Sequence, residues 1–193
     1  MKARQRHGIM PNLGAGVARQ DGWAVDDLIE LLILDVDGVL TDGRLVLTES
    51  GDLIKAFHVL DGGGIRLWCE AGRQLALVTA RTSPAVDRRA AELGIELVEQ
   101  GRDEKLIGYE SVRRQAGVAD EAVCYLGDDF LDLPPMRRCG YPAAVANAAP
   151  EVKRAAAYVT ECPGGSGAVR EIVRHLLVRD GQWRDVLAAH RAG

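Results

Sequence analysis

The stretch LLILDVDG, residues 31–38, is the part of this sequence that says most about its fold. Its apolar half is followed at once by two acidic residues, Asp35 and Asp37. A short apolar run of this kind is typical of a strand that is buried on both faces of a parallel sheet. Because alternate residues of an extended segment point the same way, the two carboxylates are expected to converge on one site where the strand ends.

Strands and helices are predicted to alternate over the rest of the chain. Further buried strands are expected at 75–78, 95–98 and 122–126. The alternation is typical of an α/β fold, a doubly wound and mostly parallel sheet with helices on both faces. Runs at 44–47 and 53–59, joined by a turn, predict a small β-hairpin insertion after the first strand. The glycines at 62–64 are expected to open the helix that follows.

The chain has 193 residues, a length that suits one domain with short appended segments. Residues 1–26 lack periodicity and are expected to form a poorly ordered N-terminal tail. Residues 27–180 are expected to form the domain itself, and residues 181–193 a C-terminal tail. Two alternatives stay open for that tail: an amphipathic helix packed on another subunit, or one that covers the core.

Composition argues against several classes of protein. With 24 basic and 28 acidic residues the net charge is −4, whereas a general nucleic-acid binder usually carries a basic face. No apolar run approaches the ~20 residues that a membrane helix needs. The four cysteines form no C-x-x-C pair, so no zinc or thioredoxin motif is indicated. Reduced thiols in a cytoplasmic protein are the simplest interpretation.

Polar side chains follow each of the predicted strands. Thr79, Ala80 and Arg81 come after the second strand, Lys105 stands at the start of the helix after the third, and Asp128, Asp129 and Asp132 follow the fourth. Ligands of such sheets bind at the carboxyl ends of the strands. We therefore expect these side chains to meet Asp35 and Asp37 at one rim of the sheet.

This combination of residue types is suited to phosphoryl transfer. Clustered carboxylates repel one another and need a cation, and oxygen ligands favour Mg²⁺. The metal and Lys105 can neutralise phosphoryl oxygens, and the N-terminus of the helix near Lys105 also favours an anion. One carboxylate can attack phosphorus to form an aspartyl phosphate, and a second can protonate the leaving oxygen and then activate water.

The order and spacing of these motifs resemble the haloacid dehalogenase superfamily of phosphatases. The matching residues are Asp35-x-Asp37-Gly38, Thr79, Lys105 and Gly127-Asp128-Asp129-x-x-Asp132. The resemblance implies that Asp35 is the nucleophile and Asp37 the acid/base. It also implies that Thr79, Ala80 and Lys105 hold the phosphoryl group.

The same resemblance implies a magnesium site. The ion would be held by Asp35, the Asp37 carbonyl and Asp128, with Asp129 and Asp132 in support. From the residues alone, Asp129 and Asp132 are equally open to a structural role as caps of the following helix. Capping and support of a metal ligand can coexist.

A longer set of motifs narrows the resemblance. They are Leu40-Thr41-Asp42-Gly43, Phe57-x-x-x-Asp61-Gly62-x-Gly64-Ile65, Gln100-Gly101 and Gly164-Gly165-x-Gly167-Ala168-Val169-Arg170-Glu171. Together they resemble the 3-deoxy-D-manno-octulosonate 8-phosphate phosphatases, from about Leu31 to Leu177. The resemblance implies Mg²⁺-dependent hydrolysis of that sugar phosphate to the free sugar acid and phosphate, a step of lipopolysaccharide biosynthesis. One departure is Ala80, where the family usually has Gly.

Candidate contacts to the sugar follow from charge and from the same resemblance. Arg can hold a carboxylate in a two-pronged pair, and the implied substrate is a sugar acid. Arg81 directly follows Thr79 and is the first candidate, with Arg89, Asp61 and Gly64 as further contacts. Arg66, Arg88 and Arg170 stay open as alternatives.

No separate cap domain is expected. The interval from Asp35 to Thr79 already holds a hairpin and a helix, the interval from Thr79 to Lys105 is shorter, and a domain usually needs at least ~50 residues. A bare rim offers few groups for choosing a substrate. The resemblance implies a homotetramer in which the hairpin, residues 44–57, and neighbouring subunits supply the missing wall.

Other functions stay open at this point. A near variant is a phosphatase of a nine-carbon ulosonate 9-phosphate. A receiver-type regulatory module also has an aspartate cluster, a Thr and a Lys on a doubly wound sheet, but its phosphoacceptor follows the third strand, where Val98-Glu99-Gln100 stands here. A non-catalytic relative that assists another enzyme is disfavoured by the intact Asp35 and Asp37.

Overall fold

The computed structural model describes residues 28–50 and 53–192. The N-terminal tail expected over residues 1–26 lies outside the described residues. The strands are β1 (Leu31–Leu34), β2 (Val46–Leu47), β3 (Leu53–Ile54), β4 (Gln74–Val78), β5 (Leu97–Glu99), β6 (Val123–Gly127), β7 (Tyr141–Ala144) and β8 (Tyr158–Val159). The helices are α1 (Val59–Glu70), α2 (Pro84–Leu93), α3 (Lys105–Ala116), α4 (Leu133–Arg138), α5 (Pro150–Ala155), α6 (Ala168–Arg179) and α7 (Trp183–Ala192).

The main sheet has six strands in the order β5-β4-β1-β6-β7-β8, and every neighbouring pair is parallel. The chain first adds strands on one side of β1 and then on the other, so its direction of winding reverses beside β1. All residues of β1 are buried, as their apolar character predicts. The predicted α/β fold with a doubly wound, mostly parallel sheet is confirmed.

The helices form two packed groups. Helix α1 packs against α2 and α6, while α4 packs against α3 and α5. Helix α2 begins at Pro84 and is capped at its end by Gly94, as predicted. None of the described helices is both long and apolar enough to span a membrane.

Helix α1 begins earlier than its glycines suggest. The sequence predicts a strand up to residue 59 and a helix from Gly62, but β3 ends at Ile54 and α1 starts at Val59. The glycines lie inside α1, where α6 approaches closely: a Cβ atom on Gly64 would stand 2.8 Å from the Cα of Arg170. Tertiary packing therefore outweighs the low helix propensity of glycine.

The insertion after β1 is a small antiparallel hairpin, as predicted, although its strands are shorter than expected. Val46 of β2 lies opposite Ile54 of β3. Leu45, Val46, Leu47 and Ile54 of the hairpin are exposed in the single chain, Leu47 to 67%. Among the described residues between β1 and β4, this hairpin and α1 are the only regular elements, so that part of the chain holds no cap domain.

The described part of the C-terminal segment is helical. Helix α7 packs against α6, and the Trp183 ring lies 5.9 and 5.7 Å from the guanidinium carbons of Arg170 and Arg174. A buried ion pair of Arg73 with Asp180, at 3.1 Å, holds the end of α6 beside the sheet. Within the single chain, α7 covers part of the core, and its Val186 is buried.

Candidate active site

The side chains expected to form a site meet at the carboxyl ends of β1, β4 and β6. All of them except Asp132 line a cavity of about 540 Å³. Its wall includes Asp35, Asp37, Thr79, Ala80, Arg81, Lys105, Asp128 and Asp129. Because the winding reverses beside β1, the loops of the two halves diverge there and leave this space. The topology thus brings residues that are far apart in sequence to one place.

Asp35 directly follows β1 and is buried. Its backbone N–H donates to the Leu126 carbonyl at 3.1 Å, which continues the pairing of β1 with β6. The Lys105 ammonium lies 2.9 Å from Asp35 Oδ1. Burial, and then the charge of Asp132, raises the pKa of Asp35 well above its usual value, while Lys105 acts in the opposite direction. Further positive charge in the cavity would favour the ionised form, which is the nucleophilic one.

Lys105 is the first residue of α3, and its side chain is buried. The ammonium lies between two carboxylates, since Asp132 Oδ1 is 2.6 Å from Nζ. Burial acts to lower the pKa of Lys105, but the charges of Asp35 and Asp132 outweigh burial and raise it. The side chain is therefore a fixed positive charge in the wall of the cavity.

Asp132 binds four donors. Its Oδ1 accepts from Lys105 and from the Tyr125 hydroxyl at 2.8 Å, and its Oδ2 accepts from the backbone N–H groups of Asp128 and Asp129 at 2.9 and 3.1 Å. The Asp129 carboxylate caps the 3₁₀ turn Phe130–Asp132. Asp132 thus orients both Lys105 and the loop that carries Asp128.

Three carboxylates form a group that suits a metal ion. Asp35, Asp128 and Asp132 each offer one oxygen within 4.8 Å of the others. Burial, and then the charge of Asp132, raises the pKa of Asp128 to about 6. Gly38 has φ of 97°, and any Cβ atom there would overlap the Asp128 carboxylate. Because Asp132 already accepts four hydrogen bonds, Asp35 and Asp128 are the side chains of this group best placed to bind a cation.

Two cationic side chains contact Asp37. Lys55 donates to Asp37 Oδ1, and Arg81 Nε lies 3.9 Å from Oδ2. The sequence interpretation missed Lys55, because this residue follows β3 of the hairpin and not a strand of the main sheet. The sequence signal that could have pointed to it is the scarcity of lysine, since the chain has only four. Arg81 is the more accessible of the two, with 57% of its side chain exposed.

Three of the candidate substrate contacts lie outside this cavity. The buried Asp61 carboxylate accepts from the backbone N–H groups of Gly167 and Arg170, at 3.2 and 2.9 Å, and so caps the N-terminus of α6. Burial raises the pKa of Asp61. Gly64 is in close contact with α6. Arg89 is paired with Glu92 at 2.8 Å and lines an adjoining cavity of about 710 Å³.

Comparison with known proteins identifies the family. A model of haloacid dehalogenase-like hydrolases matches residues 95–172. The 3-deoxy-D-manno-octulosonate 8-phosphate phosphatase KdsC of Escherichia coli (strain B / BL21-DE3) is 42% identical over 167 residues, which are 86% of this chain and 89% of the relative. The chain belongs to this phosphatase family. The resemblance inferred from the motifs is therefore confirmed.

Solved structures of the octulosonate phosphatase family share the fold. One is the Moraxella catarrhalis enzyme in complex with magnesium ion, phosphate ion and a KDO molecule; it is 36% identical with a TM-score of 0.81, and the match covers 84% of this chain and 93% of that one. Another is the cobalt-bound form of the Haemophilus influenzae enzyme, 44% identical with a TM-score of 0.78, over 80% of this chain and 91% of that one.

Proposed function

We propose that this chain hydrolyses 3-deoxy-D-manno-octulosonate 8-phosphate to the free sugar acid and inorganic phosphate, with Mg²⁺ as its cofactor. The observation behind the proposal is the position of Asp35. This residue directly follows β1, and its carboxylate lies 2.9 Å from the Lys105 ammonium and in one cluster with Asp128. The choice of substrate is supported by relatives that are named for this activity and that match this chain over most of its length.

Asp35 acts first in the proposed mechanism. Its carboxylate oxygen attacks phosphorus, the bond from phosphorus to the sugar oxygen breaks, and an aspartyl phosphate forms. Protonated Asp37 donates its proton to the departing sugar oxygen, so the product leaves as an alcohol. Lys105 and Thr79 line the same cavity, where an ammonium and a hydroxyl stabilise the charge that develops on the phosphoryl oxygens.

Asp37 then acts as a base. It takes a proton from a water molecule, whose oxygen attacks the phosphorus of the aspartyl phosphate. The bond between phosphorus and Asp35 breaks and inorganic phosphate is released. Asp35 is returned as a carboxylate and Asp37 as the acid, so the site is ready for another substrate.

The donor set fits Mg²⁺, which prefers hard oxygen ligands and few protein carboxylates. The residues that would hold it are Asp35 and Asp128 by their carboxylates and Asp37 by its carbonyl, with Asp129 and Asp132 in support. When bound, the ion supplies positive charge that offsets the repulsion among these carboxylates and polarises the phosphoryl group.

We propose a homo-oligomer, a tetramer, as the active assembly. Leu45, Val46, Leu47 and Ile54 of the hairpin are each about half exposed or more in the single chain. Several exposed apolar side chains on one short hairpin are a common mark of a protein–protein interface. The hairpin of a neighbouring subunit would supply a wall for the open cavity, and Arg81 and Arg89 are the side chains proposed to hold the substrate carboxylate.

A cytoplasmic location and a place in lipopolysaccharide biosynthesis belong to the same proposal. A phosphorylated sugar acid carries several negative charges and does not cross membranes unaided, so its phosphatase is expected in the compartment where the ester is made. Cell fractionation tests the location.

Phosphate release with Mg²⁺ from a small panel of esters tests the activity. The panel holds the octulosonate 8-phosphate, a nine-carbon ulosonate 9-phosphate and simple sugar phosphates, with Asp35→Asn and a chelator as controls. Preference for the octulosonate, lost in both controls, is expected. Preference for the nine-carbon ester would keep the chemistry and change the substrate, and the absence of turnover on every ester would contradict the proposed function.

A further inference from the structure

Lys55 is a buried lysine with an acidic partner. It directly follows β3 of the hairpin, its side chain is only 3% exposed, and its ammonium donates to Asp37 Oδ1. Burying an ammonium group is costly unless it is paired and hydrogen-bonded. The hairpin therefore places one specific charge beside Asp37, while Val46, Leu47 and Ile54 are exposed.

The two carboxylate oxygens of Asp37 are in different environments. Oδ1 is bound by Lys55. Oδ2 is buried and accepts no hydrogen bond from the described residues, and the Arg81 Nε atom stands 3.9 Å away from it. A buried polar atom without a partner is uncommon in folded proteins, and such atoms often have a catalytic role or bind a ligand or a water molecule. Here the unpartnered oxygen belongs to a residue that lines the cavity.

We propose that Lys55 is a positioning residue for the acid/base step: it holds Asp37 by Oδ1, so that Oδ2 faces the leaving oxygen of the substrate. This inference rests on the proposed function, because it concerns the same Asp37. A general acid has to lie within hydrogen-bond reach of the oxygen that it protonates. A carboxylate that rotates freely meets this condition in only part of its conformations, and a misplacement of about 1 Å can lower a rate ~100-fold.

The hairpin thereby has a role within its own chain. Lys55 and Asp37 are 18 positions apart, and the pair ties the end of β3 to the loop after β1. A displacement of the hairpin would therefore move the ammonium that holds Asp37. The short insertion then contributes a contact to the chemistry in addition to its exposed apolar surface.

Leaving groups of different basicity test the role. Lys55→Met removes the ammonium and keeps much of the side-chain bulk. With the sugar phosphate or a simple alkyl phosphate, whose alkoxide needs a proton, kcat/KM should fall about 30–100-fold. With p-nitrophenyl phosphate, whose phenolate departs without a proton, kcat/KM should change less than about threefold. A burst of p-nitrophenolate should appear, because the later hydrolysis of the aspartyl phosphate still requires Asp37.

A double-mutant cycle with Asp37→Asn tests whether Lys55 acts through Asp37. In the Asp37→Asn background, Lys55→Met should lower kcat/KM little further. If Lys55 instead touched the phosphoryl group or the sugar carboxylate, its removal would lower kcat/KM as much as in the native background. Lys55→Arg should restore part of the activity on alkyl phosphates. Lys153→Met, a lysine of α5, is the matched control and should leave all rates unchanged.

The outcomes separate this inference from the proposed function. An equal loss on all esters by Lys55→Met, or an undiminished loss in the Asp37→Asn background, would overturn the positioning role while the native enzyme still turns over. Absence of turnover by the native protein would instead overturn the proposed function. If Lys55→Met does not fold, as judged by thermal melting, Lys55→Gln and Lys55→Arg carry the same comparison.

Discussion

Lys105, the first residue of α3, and Asp132, which follows β6, form a buried ion pair with Nζ and Oδ1 2.6 Å apart. The other oxygen of Asp132 accepts the backbone N–H groups of Asp128 and Asp129. One carboxylate therefore fixes both the cation proposed to bind phosphate and the loop proposed to bind the metal. The two halves of the proposed site depend on each other through this residue.

Lys105→Ala should lower kcat/KM for the sugar phosphate at least ~100-fold, as the loss of one preorganised charge commonly does. The substitution also leaves Asp35 and Asp132 without their shared cation. Steady-state phosphate release measures the effect, and Lys153→Ala, which does not line the cavity, serves as the control. Activity within tenfold of the native enzyme would contradict the role given to Lys105.

Asp35→Asn should abolish turnover, with a loss of more than ~1,000-fold, because an amide oxygen does not replace the carboxylate as a nucleophile. The fold should persist, since the amide is close to the carboxyl group in size and carries no buried charge. Phosphate release and thermal melting check both parts. Near-native rates in this variant would show that another group attacks phosphorus.

The pH dependence of stability should report Asp128, whose pKa is raised to about 6 by burial and by Asp132. A carboxyl group with a raised pKa in the folded state favours folding while protonated, and this contribution is lost as pH rises through the folded pKa. When a chelator keeps the site free of metal, Asp128→Asn should therefore raise the melting temperature above that of the native protein by more at about pH 7.5 than at about pH 5.

The Mg²⁺-dependent rise in melting temperature should have the opposite pH dependence. Magnesium binds the ionised carboxylate, so the rise should shrink as pH falls through about 6 in the native protein, and Asp128→Asn should lose most of it. Thermal scans with and without Mg²⁺ at several pH values measure both effects. A rise that is the same at all pH values would argue that Asp128 is not a ligand.

Asp61→Ala distinguishes a structural aspartate from a substrate contact. Because Asp61 caps the N-terminus of α6 through two backbone N–H groups, its removal should lower the free energy of unfolding by about 1–3 kcal/mol. The KM for the sugar phosphate should stay within about threefold of the native value at a temperature where the variant is folded. Denaturant unfolding and kinetics test this, and a large rise in KM without a loss of stability would favour the substrate role.

Leu47→Asp should dissociate the proposed oligomer. Leu47 is 67% exposed in the single chain, so an aspartate there is tolerated by the isolated fold but opposes burial in an interface. Multi-angle light scattering measures the mass of both proteins. Val178→Asp, at a 48% exposed apolar position on α6 and outside the hairpin, is the control and should leave the mass unchanged. A monomeric native protein would contradict the oligomer.

Much of the proposed site could be predicted because its signals are local. An apolar run that ends at an acidic pair indicates a buried strand with carboxylates at its end, and the same pattern recurs before Thr79 and Asp128. Since the carboxyl ends of parallel strands share one rim, the order of elements along the chain was sufficient to expect these residues together. The narrower family resemblance also came from contiguous motifs.

Other features depend on contacts between distant segments. The pattern around 59–64 predicts a helix that begins at its glycines, but the close approach of α6 places those glycines inside α1. Asp61 is acidic and lies in a family motif, which suggests a site residue, yet its carboxylate binds the backbone N–H groups of Gly167 and Arg170. Neither fact is encoded in the nearest neighbours along the chain.

Local patterns along the chain were enough to indicate which segments are buried strands and which polar residues follow them, and hence the class of chemistry. Which charges pair depends on the folded arrangement, because the Lys105–Asp132 and Lys55–Asp37 contacts form between elements whose distance is set by packing. Hydrophobic periodicity is a property of a short window, whereas a buried ion pair depends on the final positions of two separate segments.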